Sequence, residues 1–221
     1  KSRRSGIEEP FLMPTNCPSC NYCLERNKNE AAVLCNNSYC PAQFTRLFEH
    51  FISKEAMNIE GMGGKLGLAL IQHGLVSDIA DIYYIERDSL LSLDRMGNKS
   101  TTNIMNSIEE SKNRPLERCL YALGIEHVGI EASRLLSNQL GTIDMIMSAT
   151  INDLQEIPTV GPRIAEAVHT YFSRTHNKKL VHKLRSVGLF STSDSQDGSQ
   201  SSSILRGLRF VVTGRLEAYT R

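Results

Sequence analysis

The apolar positions of the chain recur with a period slightly above 30 residues. Four glycines, Gly63, Gly97, Gly129 and Gly161, are spaced by 34, 32 and 32 residues. Four residues before each stands Ile59, Leu93, Ile125 or Ile157; directly before it stands Met62, Met96, Val128 or Val160; seven after it stands Leu70, Ile104, Leu136 or Val168. This spacing predicts a helix, a tight turn with its apolar residue tucked inward, and a second helix starting near the glycine. A single such unit could be an ordinary helix end. Four in register predict repeated supersecondary units that bury a shared core, so residues 44–190 are read as four helical hairpins and the chain as mainly α.

The periodic pattern stops at both sides. From Ser191 to Ser203 runs STSDSQDGSQSSS, thirteen residues with no apolar member, read as a flexible linker. Beyond it ILRGLRFVVTGRL (204–216) has a short apolar strand, Phe210 to Val212, with Thr213 and Gly214 at the turn into an expected helix. The chain opens on Lys1 and stops soon after this strand, and both ends are read as cuts in a longer protein.

On the other side, residues 15–43 bury too little apolar surface to fold alone and are instead crowded with thiols. Five cysteines fall between residues 17 and 40, as Cys17-x2-Cys20, Cys23 and Cys35-x4-Cys40. Paired short spacings in a chain without secretory features predict a metal site rather than disulfides. Two such turns supply the four soft ligands of a structural zinc site, whose closed shell leaves no position for a reacting water. Cys17/Cys20 and Cys20/Cys23 are both possible first pairs. The former is preferred, because Pro18 stiffens its loop and Asn21 can take the left-handed conformation such a turn often requires.

Composition narrows the function classes. The formal net charge of the 221 residues is +1, so any contact with nucleic acid must come from local charge. No run of 18 apolar residues and no signal peptide is present, which predicts a protein with no membrane partner, placed in the cytosol. Charge is concentrated between Gly161 and Phe190, where Arg163, Arg174, Lys178, Lys179, Lys183 and Arg185 face the single acid Glu166, a net charge of +5. This segment is a candidate for DNA-backbone contact.

The glycine turns suit the same partner. A glycine allows close approach of a ligand, and the unpaired N–H groups opening the next helix favour an anion. A sugar-phosphate backbone can be held there without reading base sequence. Gly61 and Gly63 with Lys65, Gly97 with Lys99, Gly129, and Gly161 with Arg163 are the candidate DNA-binding residues. The third turn carries Glu131 where the others carry a cation, which makes it the weakest on charge. Gly61 gives way to Arg95, His127 and Thr159 in the later units, and a bulkier residue there is expected to restrict the turn or move it away from phosphate. GMGGKLG (61–67) is no nucleotide loop: Leu66 replaces the third glycine of a dinucleotide fingerprint, and no Ser or Thr follows Lys65.

In this order, the motifs resemble the C-terminal portion of bacterial NAD-dependent DNA ligases. KSRRSGIEEPFLMPTNCPSC (1–20) looks like the exit from that family's oligonucleotide-binding (OB) barrel into its four-cysteine zinc finger, and CNNSYCPAQ (35–43) like the finger's second half. IEGMGGKLGLALIQHGLVSDIADIYYI (59–85) and ALGIEHVGIEASRLL (122–136) are similar to its first and third helix-hairpin-helix units. LRGLRFVVTGRL (205–216) looks like the start of its α/β BRCT domain. The resemblance implies the end of the OB fold at 1–14, a zinc finger at 15–43, four helix-hairpin-helix repeats at 44–190, the linker at 191–203 and a truncated BRCT start at 204–221.

It further implies structural Zn2+ on Cys17, Cys20, Cys35 and Cys40, with Cys23 free, and a partner in nicked double-stranded DNA with 5′-phosphate and 3′-hydroxyl ends. NAD+ and Mg2+ would serve catalytic domains that precede this stretch in the family. No Lys-x-Asp-Gly motif occurs here, so no catalytic residue is assigned. The implied setting is the bacterial cytoplasm at the nucleoid, as a monomer acting in replication and repair. A non-catalytic DNA-repair scaffold is the alternative.

Overall fold

The structure, a computed structural model, describes residues 12–26, 32–37 and 40–190. The expected linker at 191–203, the BRCT-like segment at 204–221 and residues 1–11 lie outside the described residues.

The chain begins with a small thiol-rich knot. Strands β1 (Leu24–Arg26) and β2 (Val33–Cys35) pair antiparallel, with Leu24 opposite Cys35 and Arg26 opposite Val33. Helix α1 (Pro41–Ile52) follows at once, with Cys40 as its N-cap residue. It begins three residues earlier than the sequence pattern suggested, because Pro41 occupies the first helical position, where its missing N–H costs nothing and its fixed φ suits the helix.

The rest is helical. In chain order come α2 (Gly64–Gln72), a 3₁₀ helix (Ile79–Tyr84), α3 (Arg87–Leu91), α4 (Asn98–Ser111), α5 (Leu116–Ala122), α6 (Ile130–Leu140), α7 (Ile143–Ser148), α8 (Ile151–Gln155), α9 (Pro162–Ser173) and α10 (Thr175–Ser186). The apolar positions that define the repeat are its core: all twelve are buried except Met96, which is partly buried and packs against the others. Phe48, Phe51, Leu70, Ile104, Leu120, Leu136 and Phe172 are among the largest fully enclosed side chains.

Two sets of contacts tie the first pair of hairpins to the second. On one side α1 meets α5: His50 Nε2 lies 2.8 Å from the Tyr121 carbonyl, and their rings meet edge to face. Arg118 donates to the Ala56 carbonyl at 2.7 Å and also to that of Lys54, while Arg114 donates to that of Met57 at 3.1 Å, so carbonyls of the turn after α1 find charged donors. On the other side α10 meets the 3₁₀ helix. Lys183 Nζ bonds Asp78 at 2.9 Å and also Asp81, and it sits 5.7 Å from the Tyr84 ring centre.

A candidate metal centre and four open glycine turns

The backbone around the thiols explains how they converge. The Asn21 N–H donates to the Cys17 carbonyl and the Cys17 N–H to that of Tyr22, both at 2.8 Å, which closes the first loop on itself. Asn21 holds φ 57°, the left-handed conformation anticipated for that position. The second loop runs from the end of β2 to the start of α1, where the Cys40 N–H donates to the Asn37 carbonyl and the Gln43 side chain to that of Cys35.

These loops bring together Cys17, Cys20, Cys35 and Cys40, whose sulfurs all lie within 4.8 Å of one another. Cys17 and Cys40 are 3.9 Å apart and Cys20 and Cys35 are 3.5 Å apart, as free thiols. A tetrahedron of thiolates about 2.3 Å from zinc has edges of roughly 3.8 Å, so the group fits a metal ion of that kind. Cys23 is exposed, its sulfur directed to the Leu24 carbonyl, outside the cluster.

The thiols resist ionising together. The Asn37 side chain and the Tyr22 backbone draw the Cys20 thiol down to about 6. Cys35 receives a backbone bond at Asn37 that favours its thiolate, yet desolvation and the crowding thiols Cys20, Cys17 and Cys40 push it up to about 12. One anion among four close sulfurs thus raises the cost of the next, and a divalent cation is the counter-charge that relieves it. The sixth cysteine, Cys119, is buried between the hairpin pairs, with its thiol pushed up to about 12 by burial.

The four repeat glycines share one geometry. Gly63, Gly97, Gly129 and Gly161 each immediately precede a helix, α2, α4, α6 and α9, with extended backbone at φ −82°, −112°, −84° and −80°. Any residue can adopt these angles. A Cβ added at any of the four would meet no atom within 4 Å. Neither conformation nor internal packing therefore requires glycine at these points. Gly61 differs: its φ is +83° and an added Cβ would stand 2.9 Å from Ile104, so the fold itself accounts for that residue.

The helix starts at Gly63, Gly129 and Gly161 also lack side-chain caps, whereas Asp78, Thr142 and Thr150 cap the starts of the 3₁₀ helix, α7 and α8, and at α4 the Ser100 hydroxyl accepts from the Gly97 N–H at 3.1 Å. Lys65, Lys99 and Arg163 are exposed two residues beyond their glycines. At the third turn Glu131 is paired with Arg134 at 2.6 Å.

Two expectations need correction. Arg95, His127 and Thr159 do not reshape their turns: at φ 64°, 62° and 72° they repeat the left-handed backbone of Gly61, so all four turns are alike. The basic segment is also less open than its charge suggests. Lys183 is bound to Asp78 and Asp81, and Arg185 to Asp144 at 2.7 Å, which leaves Arg163, Arg174, Lys178 and Lys179 as its exposed cations.

Sequence reading passed over Arg87. From the start of α3 its guanidinium donates to Thr102 Oγ1 at 2.9 Å and to Asn98 Oδ1 at 3.2 Å, beside the Gly97 turn. Ten residues before the other turn glycines stand Ser53, Cys119 and Ile151, so no periodic signal marks the position.

A four-thiol knot leading into four glycine-turn units defines a tandem helix-hairpin-helix protein with a cluster compatible with a zinc finger. Residues 53–110 match the family described as SAM-like helix-hairpin-helix tandem, and residues 118–181 match the helix-hairpin-helix motif. Over its whole length the chain is homologous to proteins named DNA ligase: it is 42% identical over 220 residues to that of Anoxybacillus flavithermus, covering 99% of this chain and 33% of the relative. It is 40% identical over 221 residues to that of Chloroflexus aggregans, covering 100% of this chain and 32% of the relative. The chain thus spans about a third of the length of these relatives. No helix among the described residues is long and apolar enough to cross a membrane.

Proposed function

We propose that this chain is the DNA-gripping portion of an NAD-dependent DNA ligase that seals nicks between 5′-phosphate and 3′-hydroxyl ends in the bacterial cytoplasm. The observation that carries the reading is the open space at Gly63, Gly97, Gly129 and Gly161, which nothing inside the protein accounts for. A phosphate approaching each turn would meet backbone N–H groups at a helix start, where the dipole favours negative charge. Lys65, Lys99 and Arg163 would add charge, and none of these contacts reads a base. The third turn contributes backbone donors without a cation at the matching position.

The four thiols would hold Zn2+ as thiolates, and the ion would supply folding energy rather than reaction chemistry. Cys40 joins that site to α1, so the ion would fix the hairpins relative to whatever precedes the finger. NAD+ and Mg2+ belong in this reading to catalytic domains upstream, and the chain acts as a monomer on nicked duplex.

The test is the affinity of the zinc-loaded chain for nicked and intact duplexes across a salt series, for the parent and Gly97→Ala. Binding that falls steeply with salt, is tighter on the nick and weakens in the variant at unchanged thermal stability supports the reading. Absence of binding at low salt would remove it in favour of a protein-recruiting scaffold.

A further inference from the structure

We infer that Arg87 is a preset phosphate contact of the second turn, which makes that turn the strongest grip of the four; this rests on the DNA reading above. The guanidinium is held at two points of one helix, through Asn98 Oδ1 and Thr102 Oγ1. Thr102 spends its own hydroxyl hydrogen on the Asn98 carbonyl at 2.9 Å, so the oxygen turned towards Arg87 can only accept. The arginine is thereby fixed alongside the first turn of α4, beside the open space at Gly97, whose own N–H is taken by the Ser100 hydroxyl at 3.1 Å.

Both partners are neutral oxygens, and none of the ion pairs among the described residues involves Arg87. Two of the five guanidinium N–H groups are used, and the remainder stay available to a planar anion in the fork geometry that suits phosphate. An arginine that only braced α3 against α4 would use the same two bonds, so the roles must be separated by charge. Arg95 and Lys99 flank the same turn as exposed cations, whereas the third turn pairs Glu131 with Arg134. No other unit has a cation ten residues before its glycine.

Arg87→Lys and Arg87→Gln both lose the fork and its two anchoring bonds, but only the first keeps the charge. Their affinities for a fluorescein-labelled duplex with a central nick would be read by anisotropy from about 50 to about 200 mM salt. For Arg87→Gln the expected result is about a five- to tenfold loss, with the salt slope reduced by about 0.9, and for Arg87→Lys a smaller loss at nearly the parental slope. Equal behaviour of the two variants, whether unchanged or equally weakened with the parental slope kept, overturns the inference and leaves the arginine as a brace. Failure of the parent chain itself to bind at the lowest salt would overturn the DNA reading, and this contact with it.

Discussion

Phe48 of α1 lies where Gly67 of α2 lacks a side chain: a Cβ at Gly67 would stand 2.6 Å from Phe48 Cε1. Gly67 is buried, four residues beyond the turn glycine Gly63, and the corresponding residues Thr101, Ser133 and Ala165 are also small and fully enclosed. Gly67→Ala should therefore destabilise the fold by about 1–3 kcal/mol through overpacking, read as a lower midpoint in urea. An unchanged midpoint would mean that Phe48 moves aside freely.

The left-handed residues offer a gain instead. Thr159 is β-branched and held at φ 72°, where a Cβ clashes with the neighbouring carbonyl. Relief of roughly 1–2 kcal/mol outweighs the roughly 0.5–1 kcal/mol of extra chain entropy that glycine loses on folding. Thr159→Gly should raise the melting temperature slightly, and by more than Arg95→Gly.

The thiol geometry separates Cys17 from Cys23, the two candidates for the first pair between which the spacing alone allowed a choice. Cys17→Ser should abolish stoichiometric zinc and partly unfold the finger, while Cys23→Ser should leave both intact. Metal content by atomic absorption decides the matter, and full zinc in the first variant would reject the assignment.

Lys65→Ala and Lys99→Ala should weaken binding to any duplex irrespective of sequence. Each should lower the slope of log affinity against log salt by about 0.9. A slope identical to that of the parent would take that lysine out of the interface.

Asp81 supplies a pH dependence. Burial would raise its carboxyl, but Lys183 and the hydrogen bonds from Asp78 and Ser77 hold it down at about 2, below its ordinary 3.8. A depressed folded-state value means stability fully present above pH 4 and lost as pH falls from about 4 towards 2. Lys183→Ala should cost about 1 kcal/mol near neutral pH, given the pair's partial exposure. Its melting curves should converge on those of the parent as Asp81 protonates.

What the sequence carried was periodicity. The apolar positions around the turn glycines could be counted, and they form the core because an amphipathic helix has few other ways to bury its face. Asn21 was legible as a loop residue for the same local reason, since its conformation depends on its immediate neighbours. Contacts between distant elements were not. Lys183 and Asp78 are 105 residues apart, so a count of cations along α10 could not reveal which ones the fold had already neutralised. The turns at Arg95, His127 and Thr159 were misjudged because intrinsic preference argues against a left-handed conformation that the packing of both flanking helices enforces.

Cys40 belongs to two structures at once, as a member of the thiol cluster and as the residue on which α1 begins. An ion bound by those sulfurs would therefore stabilise the start of the helix behind it together with the finger. By mass action, each tenfold rise in free metal activity above the dissociation constant adds about 1.4 kcal/mol to the apparent stability of that junction. With a metal bound there, its melting point would be a gauge of the surrounding metal concentration, and a chelator would act on it as a denaturant.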